Sequence, residues 1–181
     1  MPNHAFTIKY WWIATQLWTQ IHICLPTEIW KPPAQCHLLD AIRDTGATSS
    51  TITSPIAKSL WLIPTGKTIV NGVWWQKEEY TYFVSIILPN NVIVPNIMVC
   101  WCDKLVWWFD ALIGMDIIWL WDLAITKEEN KTVMSFVLPS MKTIDFVKKV
   151  NDLVQQEHSG QHKKAKEQRK KEKKNKKKWR K

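Results

Sequence analysis

At 181 residues the chain is long enough for one domain with appendages, and its formal charge of +9 is unevenly spread. Residues 161–181 hold thirteen Lys and Arg against Glu167 and Glu172 (+11), while residues 1–160 hold twelve against fourteen Asp and Glu (−2), so any basic function belongs to the tail. The most apolar stretch, Leu105 to Ile125, is excluded as a membrane span because Asp110, Asp116 and Asp122 interrupt it, each at about 2.5–3.5 kcal/mol at a bilayer centre.

Residues 1–18 show no clean period and read as an N-terminal extension with at most one strand. Thr19 to Leu25 alternates apolar and polar, the pattern of a half-buried strand, and Pro26 to Pro33 supplies a loop. Leu38 to Arg43 is the next strand and runs into Asp44-Thr45-Gly46. Ser54 to Leu60 predicts a short helix with Ser54 as N-cap and Pro55 at the first helical position. Lys67–Val70 and Tyr80–Leu88 are β-rich runs that predict a long hairpin with its tip at Asn71-Gly72-Val73-Trp74-Trp75. Val92 to Cys100 is a strand in which Pro95 calls for an edge or a bulge. Phe109 to Gly114 is a short apolar run, Met115 to Leu120 a helical turn, and Leu123–Thr126 with Thr132–Leu138 a last hairpin. From Thr143 the period turns helical, with Ile144, Val147, Val150, Leu153 and Val154 in one stripe, which predicts an amphipathic helix over 141–158. Residues 159–181 are Lys-rich and too poor in apolar side chains to order themselves. Seven or more short strands with little helix make an all-β domain, barrel or sandwich, over 19–140.

Cys24, Cys36, Cys100 and Cys102 have no zinc-type spacing, and the N-terminus lacks the basic and apolar regions of a secretory signal, so free thiols in a reducing, cytoplasmic setting are expected. Thirteen Trp stand against 5 Gly, where ordinary usage would give roughly 13 Gly. Trp11-Trp12, Trp74-Trp75 and Trp107-Trp108 are adjacent pairs, and Trp74-Trp75 follows Asn71-Gly72, where turn chemistry favours small residues. Several of these tryptophans therefore read as replacing glycine in a close relative. One base change links a Gly codon of the GGG or GGA type to a Trp codon, or to a stop that some codes read as Trp, so the gene sequence tests the reading.

Asp44 enters a turn in which Gly46 allows close backbone approach and the Thr45 hydroxyl can lock the geometry. The same residues also suit a simple Asx-turn between strands. About seventy residues later comes Ala111-Leu112-Ile113-Gly114-Met115-Asp116. A strand into Asp44-Thr45-Gly46-Ala47-Thr48, then a hairpin, then this run together resemble the retropepsin-like aspartic proteases. The resemblance covers about residues 19–140. It implies a retropepsin-like closed barrel with a flap hairpin and short helices, Asp44 as the catalytic aspartate, and Thr45, Gly46, Ala47 and Thr48 around it. Leu112, Ile113 and Gly114 would form the supporting loop, and Gly72, Val73, Trp74 and Trp75 the substrate-binding flap. It implies no metal and no cofactor.

An aspartic protease needs two carboxylates that share a proton. The chain has one Asp-Thr-Gly, so the resemblance implies a homodimer that hydrolyses a polypeptide substrate with a water activated on paired Asp44 side chains. Departures from the family pattern set a second reading beside this one. Trp74 and Trp75 stand where family flaps carry glycine, Trp61 and Trp121 stand where small residues belong, and Arg43 places a charge beside Asp44. Arg43 either lies beside the dyad and lowers the pKa of Asp44 or, as strand alternation favours, points to the opposite face and leaves it alone. On the second reading the chain is an impaired dimeric binding or structural module of the same fold. The tail, residues 161–181 with Trp179, suits weak contact with nucleic acid or another polyanion; no membrane partner is expected.

Overall fold

The computed structural model describes residues 4–28, 31, 35–72 and 75–156. Val73 and Trp74 of the expected hairpin tip, part of the Pro26–Pro33 loop and the Lys-rich tail lie outside the described residues. The chain divides into two units, Met1–Met141 and Lys142–Lys181.

The first unit is mostly β with few short helices. Strands β2 (Leu17–Cys24), β3 (Cys36–Arg43), β4 (Thr51–Thr53), β5 (Gly66–Asn71), β6 (Gln76–Ile87), β7 (Ile93–Cys102) and β8 (Ala111–Ile113) form one sheet in the order β2-β3-β8-β4-β7-β6-β5. An additional β2–β6 pairing closes six of them into a barrel and leaves β5 outside as the free arm of the β5–β6 hairpin. Closure pairs β2, which would otherwise be an edge of the open sheet, and leaves β5 as the edge strand. The alternating apolar residues of β2, β3, β6 and β7 point inward, with Ile21, Ile23, Ala41, Val84, Ile86 and Val99 fully buried. At the β6–β7 bulge the register shifts between Val84 and Ile86, and Asn96 adopts φ 51°. Pro95, which has no N–H to donate, sits beside this irregularity as its chemistry requires.

A second sheet, β1 (His4–Lys9), β10 (Lys131–Leu138) and β9 (Asp122–Glu128), packs beside the barrel. β9 and β10 turn through Glu129 and Asn130, both at positive φ, the backbone a two-residue hairpin turn demands. β1 pairs with β10 from His4↔Leu138 to Lys9↔Val133, so the N-terminal segment is integrated into this sheet. Phe6 stacks on Phe136, and Trp121 meets the Phe136 ring edge-on. Trp121 is thus a buried packing residue, contrary to the small residue expected there.

Helix α1 (Ser54–Ser59) begins one residue earlier than expected, with Thr53 rather than Ser54 as N-cap and Pro55 in the first turn. Its C-terminus is a Schellman motif: Leu62 N–H donates to the Ala57 carbonyl and Trp61 N–H to that of Lys58, with Trp61 at φ 52°. Helix α2 (Met115–Ile118) follows β8 directly. The apolar stretch Leu105 to Ile125 is therefore broken into a loop, β8, α2 and the start of β9. Among the described residues no helix is long and apolar enough to cross a membrane.

The expectation of four free thiols is corrected. Cys24 and Cys36 are register partners on β2 and β3, with Cα atoms 4.1 Å apart, and form a disulfide. Their sequence separation of 12 hides a pairing that the hairpin makes direct. Cys100 and Cys102 on β7 are free, and burial pushes the Cys102 thiol up to about 11, away from nucleophilic use.

In the second unit, residues 146–156 form a helix, α3. Asp145 caps it: its Oδ1 accepts the Lys148 N–H at 3.0 Å and its carbonyl the Lys149 N–H at 3.1 Å.

Candidate active site

β8 lies between β3 and β4, parallel to β3 (Ala41↔Ala111 to Arg43↔Ile113) and antiparallel to β4 (Thr51↔Leu112). The chain leaving β3 must therefore cross the end of β8 to reach β4, and residues 44–50 make that crossing. Gly114 stands at the crossing point. A Cβ there would lie 2.7 Å from the Ser49 carbonyl carbon and 3.0 Å from the Ala47 oxygen, closer than real side chains approach backbone. The two loops are stitched together. Met115 N–H donates to Ala47 O at 2.8 Å, Asp116 N–H to Thr48 O at 3.2 Å, and Gly114 N–H to Ser50 Oγ at 3.0 Å.

Asp44 is held at the start of this loop. Its N–H donates to the Ile113 carbonyl at 3.0 Å, and its Oδ1 accepts the Gly46 N–H at 2.8 Å. A Cβ on Gly46 would sit 3.2 Å from that oxygen. Gly46 thus serves close approach and not a left-handed backbone, since none of the described glycines has positive φ. The carboxylate is half-buried, Thr45 and Thr48 are exposed, and Ala47 is half-buried. The structure gathers Asp44, Gly46, Ala47, Thr48, Ile113 and Gly114 into one hydrogen-bonded and close-packed unit, with Leu112 in the β8 pairing that carries it.

Sequence reasoning missed Ser50 and Asp116. Asp116 Oδ2 accepts the Ser50 N–H and its Oδ1 the Ser50 hydroxyl, both at 2.8 Å, while buried Ser50 in turn accepts from Gly114. This relay locks the start of α2 to the loop from Asp44. The available signal was an acid two residues after Gly114, in the first turn of a helix, where it suits the dipole.

Arg43 turns away from the Asp44 turn into the space between barrel and small sheet. It is 6% exposed, donates to Thr19 Oγ1 at 2.7 Å and lies 5.2 Å from the Phe136 ring centre. Burial lowers its guanidinium to about 10, and its Nε and Nη1 have no partner among the described residues.

At the hairpin, Asn71 pairs with Gln76, and Gly72 N–H donates to the Trp75 carbonyl at 2.8 Å. The Trp75 indole lies against Gly72 where any Cβ would collide with it. No hydrogen bond joins this tip to the Asp44 turn among the described residues. Cavities of about 620 and 590 Å³ lie elsewhere, one beside Trp11, Trp12 and Trp18, the other beside Trp61, Tyr80 and Trp101, and Asp44 lines neither.

No family model and no curated protein matches the chain. Among solved structures it is similar to a retropepsin-like aspartic protease from Rickettsia conorii, at 13% identity and a TM-score of 0.45, covering 76% of this chain and 97% of that one. It is also similar to EIAV protease complexed with the inhibitor HBY-793, at 19% identity and a TM-score of 0.43, covering 58% of this chain and 86% of that one. The likeness is one of fold at low sequence identity.

Proposed function

We propose that the chain is an aspartic endopeptidase whose catalytic dyad is formed by Asp44 of two copies across a two-fold axis. The observation that carries this reading is the held, half-buried Asp44 carboxylate, fixed by Gly46 and braced by the Gly114 crossing on a closed barrel. One such loop supplies one carboxylate, and the chain has no second Asp-Thr-Gly; an isologous dimer brings two together without any further residue. Two adjacent carboxylates cannot both ionise readily, so one serves as base to a water while the other stays protonated and polarises the scissile carbonyl. Apparent pKa values then belong to the pair. The exposed Thr45 hydroxyls stand ready to tie the two loops together, and a substrate strand would lie under the β5–β6 hairpin and pair by main-chain hydrogen bonds.

The test is cleavage of a peptide library at mildly acid pH by the full chain. Turnover that a pepstatin-type inhibitor blocks and Asp44→Asn abolishes is the expected result; turnover that survives Asp44→Asn overturns the proposal. The Trp75 indole folded on Gly72 favours a second reading, an impaired dimeric module whose flap cannot open. Under it the chain dimerises without turnover, and glycine at positions 74 and 75 together restores cleavage.

A further inference from the structure

Helix α3 carries a face that neither the barrel chemistry nor the proposed dyad uses. At about 100° per residue, Phe146, Val147, Val150, Leu153 and Val154 fall in one arc of about 120°, and no polar residue enters it. Lys148, Lys149, Asn151, Asp152, Gln155 and Gln156 take the rest of the circumference. The apolar five are 45–71% exposed. Five residues beyond Gln156, the last described residue of the helix, position 161 begins the segment with thirteen Lys and Arg against two Glu, which includes Trp179-Arg180-Lys181.

We propose that this C-terminal unit is an interfacial anchor for an anionic membrane surface: α3 lies in the headgroup plane with its apolar face down, and the basic segment supplies the electrostatic attraction. Exclusion of a spanning helix does not bear on this mode, because a surface helix needs an apolar arc and basic neighbours rather than length. Charge complementarity selects the occupant. A polynucleotide satisfies the lysines and leaves five apolar side chains in water. A second copy of α3 covers the apolar face and leaves the surplus positive charge without a role. An anionic bilayer takes both, and a weak apolar element joined to a polybasic stretch supplies the two signals that stable anchoring takes.

The experiment is flotation of the full-length chain with vesicles of pure phosphatidylcholine and of phosphatidylcholine mixed with phosphatidylserine. Binding is expected only to the mixed vesicles. It should fall by about tenfold or more as ionic strength rises from about 0.1 M to about 1 M, where the Debye length shortens from about 10 Å to about 3 Å. The double variant Val150→Asp/Leu153→Asp, and separately Lys173, Lys174, Lys176, Lys177 and Lys178 changed together to Gln, should each weaken partitioning by about tenfold or more. Equal binding to both vesicle types, no binding to either, or binding indifferent to Val150→Asp/Leu153→Asp overturns the proposal. The wild-type salt and composition series decides the matter even if a variant misfolds. An oligonucleotide bound in place of vesicles assigns the unit to nucleic acid. A loss of oligomeric mass in the double variant, with no vesicle binding by wild type, assigns it to a second copy. Either result also overturns the proposal.

Discussion

Trp61 and Trp119 are almost equally exposed, at 84% and 80%, so neither indole contributes much burial, yet their backbones differ in sign. Trp61 occupies the C′ position of the α1 Schellman motif at φ 52°, whereas Trp119 ends α2 at φ −66°. A Cβ in the left-handed region costs about 1–2 kcal/mol, and glycine there gives back about 0.5–1 kcal/mol through its freer unfolded state. Trp61→Gly should therefore stabilise the fold by about 0.5–1 kcal/mol, a rise of roughly 2–4 °C in Tm per kcal/mol at this size. Trp119→Gly relieves nothing and should lower stability. Thermal melts of the two variants side by side check the argument; a loss of stability in both would refute it. Trp107, exposed and at φ 63°, belongs with Trp61. The glycine deficit visible in composition thus has a conformational counterpart at Trp61 and Trp107 among the described residues. Trp121 shows the limit of the composition argument, since it is packed into the core on Phe136.

At the scale of elements, the crossing of the Asp44 loop over β8 decides what the fold tolerates. A Cβ at Gly114 meets backbone atoms of Ser49 and Ala47, between an Ala47 carbonyl held by Met115 N–H and a Ser50 N–H held by Asp116, whereas a Cβ at Gly66 finds only Thr81 Oγ1 at 3.4 Å, an ordinary contact. Gly114→Ala should cost about 1–3 kcal/mol or more and should lower turnover beyond what the lost folded fraction explains, because the shift is delivered to Asp44. Gly66→Ala should be neutral or slightly stabilising. Denaturant melts with a parallel peptide-cleavage assay separate the two; an unperturbed Gly114→Ala protein would mean the loops do not cross as described. These elements were legible because each rests on local chemistry: period-two alternation in β2, β3 and β6, the proline at α1, the Asp-Thr-Gly and Leu-Ile-Gly runs. What stayed hidden is set by partners far away in sequence. β1 alternates half-buried and exposed only from Phe6 to Lys9, a run too short to stand out in residues 1–18, and its partner β10 lies more than a hundred residues on. Cys24 and Cys36 become a disulfide only once the β2–β3 register aligns them. Ser50 and Asp116 carry no motif of their own and gain meaning only through the loop crossing.

At the scale of the whole molecule, the proposed chemistry makes the dimer testable by stoichiometry. If each active site takes one Asp44 from each of two copies, a chain carrying Asp44→Asn poisons every dimer it enters. Wild-type and Asp44→Asn chains mixed in equal amounts and allowed to exchange should then retain about one quarter of the dimeric activity, the share of pairs with two aspartates under random association. A self-sufficient monomer would retain half. Dilution gives an independent reading: below the dimer dissociation constant, activity per chain should fall in proportion to concentration, and a monomeric enzyme would show no such fall. The two measurements fail differently. A dimer too tight to dissociate hides the dilution effect but leaves the one-quarter value intact when the two chains are refolded together, whereas one-half in that mixture removes the shared dyad whatever dilution shows.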